Sequence, residues 1–416
     1  MNTLKNSITK KGLNHTLFLG CGRVMGKSIS ESSDDNQVYL VGSLVNLVCF
    51  NKKEYDIYLQ TINAKTKEEW VNNCVKNRLV TNAKELEAYE ESFKKEHILI
   101  HQNISEIDDP IFFKFTIAKR GISFGYSKKE KKWIISSVNP KGNNLRLSHE
   151  EYDMWRSSSG ICTIWDTMHH FMKIRGCTAT EALSIFIKNM NRFCKIGLWN
   201  IEYCGDNKDI YATEHEQERT FKGKWFDVHN LKTDSIIVAA GEEFGGSGDQ
   251  IEIIIGNQNV FVEKAEFLIW LLCKKNQNTI LKMKEQLDMD ESQIRDIVKR
   301  LIGKKLLMIW PDAWVFDESY SVSAVPLGTS IGMINNENYE AKDLPIGKGQ
   351  LLPVSMYFVW IFSHGFASLG VTVQALKESL NIRQKEAELL VAQSIPVLIE
   401  KGLMDIQIIP KRKMNP

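Results

Sequence analysis

The chain has 416 residues, 43% hydrophobic and 25% charged, the composition of an ordinary globular protein with room for roughly two to four domains. Its net charge of +2 gives no reason to expect nucleic acid as a partner, and no apolar run reaches the ~18 residues of a membrane span. Met1 to Leu13 are polar and basic without the apolar stretch of a secretion signal, so a cytoplasmic protein is expected.

The first quarter opens on strand-like Leu17-Phe18-Leu19 and a glycine pair, Gly22-Arg23-Val24-Met25-Gly26. A hairpin turn at Gly42-Ser43 leads into the apolar strand Leu44 to Phe50, then a helix with an aromatic anchor, Glu54-Tyr55-Asp56-Ile57-Tyr58. A charged helix over Asn82 to Lys95 precedes the closing pair Ile98-Leu99.

The second quarter repeats the pattern: Gly121-Ile122-Ser123-Phe124-Gly125, a turn over Asn139 to Asn143, the anchor Glu151 to Trp155, and the close Leu198-Trp199. Ser148 with Glu151 predicts a capping box at its first helix. The third quarter has the glycine pair Gly241 to Gly245, expected with Gly246 to Asp249 to make a turn, and strands over Ile251 to Ile255 and Asn259 to Val262. Helices follow over Lys264 to Cys273 (anchor Trp270), Thr279 to Leu287 and Asp290 to Ile302, each with apolar residues at helical spacing, before the strand Leu306 to Trp310. The fourth has Gly328 to Gly332, a turn at Gly347-Lys348-Gly349, Pro353 at helix entry, the anchor Trp360 and the close Leu403-Met404.

Four copies of one small unit are therefore expected. The fold class is α+β, a tandem array of winged-helix modules of order β-β-β-α-α-α over residues 1–105, 106–220, 221–318 and 319–416. The anchors hold one position in every copy and are expected in cores.

Motifs that suggest chemistry fail on spacing. Gly22 to Ser28 lacks the glycine a phosphate loop needs five residues before Gly26, where Cys21 stands. His169-His170 has no cysteine or carboxylate at ligand spacing. The eight cysteines form no C-x-x-C pair, and buried free thiols are expected, with Cys49 and Cys273 on apolar stretches. No nucleophile-plus-base set stands out, so no catalysis, metal or cofactor is expected.

The strand, glycine turn, strand, aromatic-bearing helix, short second helix and Lys-Gly-Leu-like close resemble the PqqD-like fold, the RiPP recognition element. The likeness spans Ile251 to Trp310 and Gln350 to Asp405, then Ile134 to Glu202, and is faintest over Val38 to His101. Proteins similar to this occur in thiopeptide clusters of the micrococcin type. The resemblance implies a non-catalytic scaffold that grips the leader of a ribosomally made precursor peptide. It also implies peptide-modifying enzymes (a cyclodehydratase, dehydrogenase or dehydratase) as further partners, in thiopeptide or bacteriocin biosynthesis.

Strand addition is the expected mode, because the third strand of each module is an edge with unpaired backbone groups. In the first copy Leu44, Val48 and Phe50 share one face, and Val45, Leu47 and Cys49 the other. An apolar second face needs cover, from the second copy or from a ligand. The candidate groove is thus Leu44, Val45, Leu47 and Cys49 facing a helix with Leu86, Tyr89 and Phe93. Lys84, Lys94 and Lys95 are placed to meet acidic leader residues.

The alternative is a tandem winged-helix DNA-binding protein, a regulator or replication initiator. Its recognition helices would be Lys84 to Glu91, Lys385 to Leu390 and a third with Arg295, Lys299 and Arg300. The acidic residues in each weigh against it, and DNA binding at physiological salt is expected to be weak or absent, any affinity being non-specific and lost as salt rises. An array serving only protein assembly is a third option.

Overall fold

The computed structural model of the chain describes residues 15–411, apart from 28–37, 44–46, 120–122, 136–143, 159–160, 206–211, 248–249, 257, 277, 312–315, 318, 328, 334–337, 343–348 and 364–366. Strands β1 (His15–Gly20), β2 (Arg23–Lys27), β3 (Tyr39–Gly42) and β4 (Leu47–Phe50) come first. Helices α1 (Lys52–Asn63), α2 (Lys67–Lys76) and α3 (Glu85–Lys95) follow, then β5 (Leu99–Ile104). The succession recurs as β6 (Phe115–Lys119), β7 (Ser123–Ser127), β8 (Lys132–Ile135), β9 (Leu145–Leu147), α4 (His149–Ser157), α5 (Ile164–Arg175), α6 (Ala179–Lys195) and β10 (Trp199–Tyr203).

A connecting helix, α7 (Glu214–Lys222), leads to β11 (Ile237–Ala239), β12 (Glu242–Ser247), β13 (Gln250–Ile255), β14 (Gln258–Glu263), α8 (Lys264–Lys275), α9 (Ile280–Gln286), α10 (Glu291–Gly303) and β15 (Leu307–Ile309). The last run is β16 (Val322–Pro326), β17 (Thr329–Met333), β18 (Asn338–Lys342), β19 (Gly349–Pro353), α11 (Val354–Phe362), α12 (Leu369–Leu380), α13 (Gln384–Glu400) and β20 (Met404–Ile408). The protein is α+β, with small, mostly antiparallel sheets. No helix among the described residues is long and apolar enough to cross a membrane.

Within each run the first and last strands pair antiparallel, β1 with β5, β6 with β10, β11 with β15 and β16 with β20. The middle three form a meander whose third strand is an edge. The glycine-pair segments, expected as turns, are themselves strands (β2, β7, β12 and β17). The register slips by one residue at the second glycine of every pair, Gly26, Gly125, Gly245 and Gly332. A β-bulge breaks the alternation that marks a strand in sequence, and glycine takes the left-handed backbone it needs, as at Gly26 (φ 75°) and Gly125 (φ 94°).

The expected boundary near 220 falls inside α7. Thr213 and Glu216 form a full capping box that starts this helix, and Gln217 bonds the Ile409 carbonyl at 2.6 Å, tying it to the end of β20. The Ser148–Glu151 capping box forms as expected.

One core lies in the first run around Phe18, Val48, Phe50, Tyr58, Trp70 and Phe93. A second fills the next run and takes in Leu17, Leu19 and Ile100 from β1 and β5. A third joins the last two runs and recruits Met25 and Leu40. Gly22 N–H donates to the Ile201 carbonyl (2.6 Å) and Gly241 N–H to Ile406 (3.3 Å), so runs one and two dock as three and four do. The first and fourth meanders merge through parallel pairing of β2 with β17 into one six-stranded sheet, β19-β18-β17-β2-β3-β4.

Candidate functional site

Strand β4 is an outer edge of the six-stranded sheet, held on its inner side by β3 in the register Tyr39↔Phe50 to Gly42↔Leu47. Its residues alternate as a strand over a core should. Val48 and Phe50 are buried, while Leu47 is 43% exposed and the Cys49 thiol is exposed too. The second face is therefore open at β4. Cover is expected from the second copy or from a ligand; on β2 and β3 that face is covered at Met25 and Leu40, which join the core of the last two runs. Leu44 and Val45 lie outside the described residues.

Asn51 ends the strand and caps α1 through a box with Glu54, fixing where the chain turns from edge to helix. On α3, Leu86 and Phe93 are each 1% exposed, Phe93 meeting Phe50 edge-on at 5.6 Å and Tyr58 at 5.8 Å. They are core residues and are withdrawn from the groove wall. Tyr89 is half-buried against Phe93, and Lys84 is exposed at the start of the helix. Of the sequence candidates, Leu47, Cys49, Tyr89, Lys84 and Lys95 remain accessible.

Lys94 is committed within the fold. It pairs with the buried Glu90 carboxylate at 2.6 Å, which Lys67 (2.7 Å) and His101 (2.6 Å) also reach. Burial alone would raise that carboxyl, but the three hydrogen bonds outweigh it and hold it down at about 2. Glu90 therefore ties α3 to α2 through Lys67 and to β5 through His101, and Lys94, one turn along α3, is held by the same carboxylate rather than waiting for a ligand.

The other three third strands are blunted, which sequence reading missed. On β9, three residues long, the outward Arg146 holds Glu130 of the neighbouring hairpin. On β14, Phe261 is 54% exposed, but Lys304 Nζ donates to its carbonyl at 3.1 Å and to Glu266 at 2.7 Å. On β19, Leu351 is 56% exposed between Gln350, bound by Lys401 at 3.0 Å, and Pro353. Charges, prolines and short length are the usual protection of a sheet edge. Among the described residues of β4, Leu47 to Phe50, there is neither a charge nor a proline.

The glycine-rich start holds no anion cradle in its described residues. Arg23 is buried with its guanidinium 5.1 Å from the Trp360 ring, and the Gly22 N–H is spent on Ile201. His169 rests on Trp165 (ring centroids 3.7 Å). No family model, no curated protein and no solved structure matches this chain.

Proposed function

We propose that the chain is a non-catalytic peptide-binding scaffold of four winged-helix units of the PqqD-like kind, with limits near residues 15–104, 115–203, 237–309 and 322–408. It takes the leader of a ribosomally made precursor as an added strand beside β4 and presents it to separate modifying enzymes, a cyclodehydratase, dehydrogenase or dehydratase, in thiopeptide or bacteriocin biosynthesis. Holding peptide and enzymes on one chain raises their effective concentration. The observation that carries this reading is the contrast among third strands. Three are guarded by charge, proline or brevity, whereas the described residues of β4 leave apolar Leu47 and Cys49 bare with neither a charge nor a proline among them. The eight free thiols suit a reducing, cytoplasmic setting.

The sequence-reading DNA regulator is less well supported. Arg295 on α10 is bound by Thr233 and Glu291, and Arg300 and Lys304 are both drawn to Glu266. These cations are occupied by the protein itself.

The test is a fluorescence-polarisation titration with the labelled leader of a short precursor, rich in Cys, Ser and Thr at its tail, encoded beside this gene. Binding should be lost in Leu47→Asp and weakened in Tyr89→Ala while circular dichroism is unchanged. Equal binding by wild type and Leu47→Asp, or the lack of any such neighbouring reading frame, would count against the reading.

A further inference from the structure

The near-zero net charge of the chain hides an uneven distribution. Residues 115–203 hold 14 Lys and Arg against 7 Asp and Glu, a surplus of seven in a chain whose total is +2. Much of it sits on one hairpin. Between β7 and β8 the chain reads Ser127-Lys128-Lys129-Glu130-Lys131-Lys132, and Lys128, Lys129 and Lys131 are exposed with Lys132 half-exposed. The tip is shaped for this. Glu130 N–H donates to Ser127 Oγ at 3.2 Å, and Lys131 adopts a left-handed backbone (φ 52°) that turns the chain. The one acid, Glu130, is already held by Arg146 from β9. Its charge is thus spent on bracing the hairpin rather than on neutralising the lysines.

Beside the tip lies an aromatic face. Tyr126, 38% exposed, stacks on His149 at 4.8 Å, and the Trp133 indole donates to His149 Nδ1 at 3.0 Å, which holds the imidazole in place. A braced hairpin with four closely spaced lysines and an accessible ring is the footprint of a polyanion site.

We propose that the β7–β8 hairpin binds the phosphate backbone of nucleic acid, without sequence preference. The lysines supply point charges that neutralise successive phosphates and release their counterions, and Tyr126 flanks the track. A nucleic acid is favoured over an acidic polypeptide because its charges are fixed and dense, about one per 1.7 Å of duplex, and match lysines crowded on one rigid tip. This activity is separate from the peptide edge of β4 and stands or falls without it.

The test is the salt dependence of binding to a labelled duplex of ~30 base pairs, for which each neutralised phosphate adds about −0.9 to the slope of log K against log salt. Wild-type protein should bind at ~50 mM salt and release the duplex by ~300 mM. Changing Lys128, Lys129, Lys131 and Lys132 together to Ala should cut affinity at least tenfold and flatten the slope by about 3 to 4. The pair Lys84→Ala with Lys95→Ala, on α3, should leave both unchanged. No binding at ~50 mM salt, or a four-lysine variant with an unaltered slope, would overturn the assignment. Displacement of the duplex by poly-glutamate at matched charge concentration would overturn it in favour of an acidic polypeptide.

Discussion

The Trp270 indole donates a hydrogen bond of 3.0 Å to the carbonyl of Ala240, the residue before the first glycine of its pair. Tyr58 bonds the Cys21 carbonyl in the same way at 2.6 Å, and Trp360 the Leu327 carbonyl at 2.9 Å. Aromatic and glycine recur together along the sequence because one satisfies the backbone that the other leaves open. The glycine turns the chain away, and the carbonyl before it loses its strand partner and takes a ring donor instead.

Two variants separate these roles. Trp270→Ala should cost about 3–5 kcal/mol in a denaturant melt through the cavity it leaves. Trp270→Phe keeps most of the ring and strands the Ala240 carbonyl, at about 1–3 kcal/mol. If Trp270→Phe matched wild type, the hydrogen bond would be incidental to the repeat.

The first glycine of one pair and the second of another should differ in tolerance. At Gly125 a Cβ would meet nothing within 4 Å, so Gly125→Ala should carry only the backbone strain, about 1–2 kcal/mol. At Gly22 a Cβ would stand 2.9 Å from Val41 Cγ1 and 3.2 Å from the Gly42 carbonyl, on a backbone with φ 104°. Gly22→Ala should therefore lower the melting temperature further and loosen the contact to Ile201. The opposite order in a thermal melt would show that the first glycine is not wedged.

Acid should weaken the first run through Glu90. Its folded value of about 2 lies below the ~4.3 of an unfolded glutamate, so its contribution is complete above about pH 5 and is lost as pH falls toward 2. Glu90→Gln should be less stable at neutral pH and flatter across that window. A variant with the wild-type slope between pH 5 and 2 would place the acid sensitivity elsewhere.

Lys304→Met should unguard β14. It frees the Phe261 carbonyl on an edge whose outward ring is already exposed, and self-association should rise in light scattering at constant salt. A variant as monodisperse as wild type would mean that Lys304 serves Glu266 alone.

The helices were readable because capping boxes such as Ser148–Glu151 and apolar stripes such as Ile294, Ile297, Val298 and Leu301 are local. Strand β12 was not, because the bulge at Gly245 makes a strand look like a turn, whereas α7 is announced by Thr213 and Glu216 alone, without an apolar stripe to mark it. At the candidate site, Leu47 and Cys49 could be placed on one face from alternation alone. Leu86 and Phe93 could not be told from groove residues, since depth beneath β4 is a tertiary property. The exposure of Cys49 is tertiary too, because the cover of that face belongs to the core of the last two runs, which takes in Met25 and Leu40 but no described residue of β4. The lysine hairpin was in plain view, but charge summed over the whole chain averaged it away.

The merging of the first and fourth meanders has a kinetic side. Tyr357 donates to the Met25 carbonyl at 3.4 Å across 332 positions of sequence, and Met25 and Leu40 belong to the core shared by the last two runs. During synthesis the first run emerges early, yet its back face stays wet until α11 has left the ribosome. Such late closure is slow, and it exposes sticky surface while it waits. A nascent chain stalled before residue 354 would therefore hold a folded first core with Met25 and Leu40 bare, a natural client for a chaperone.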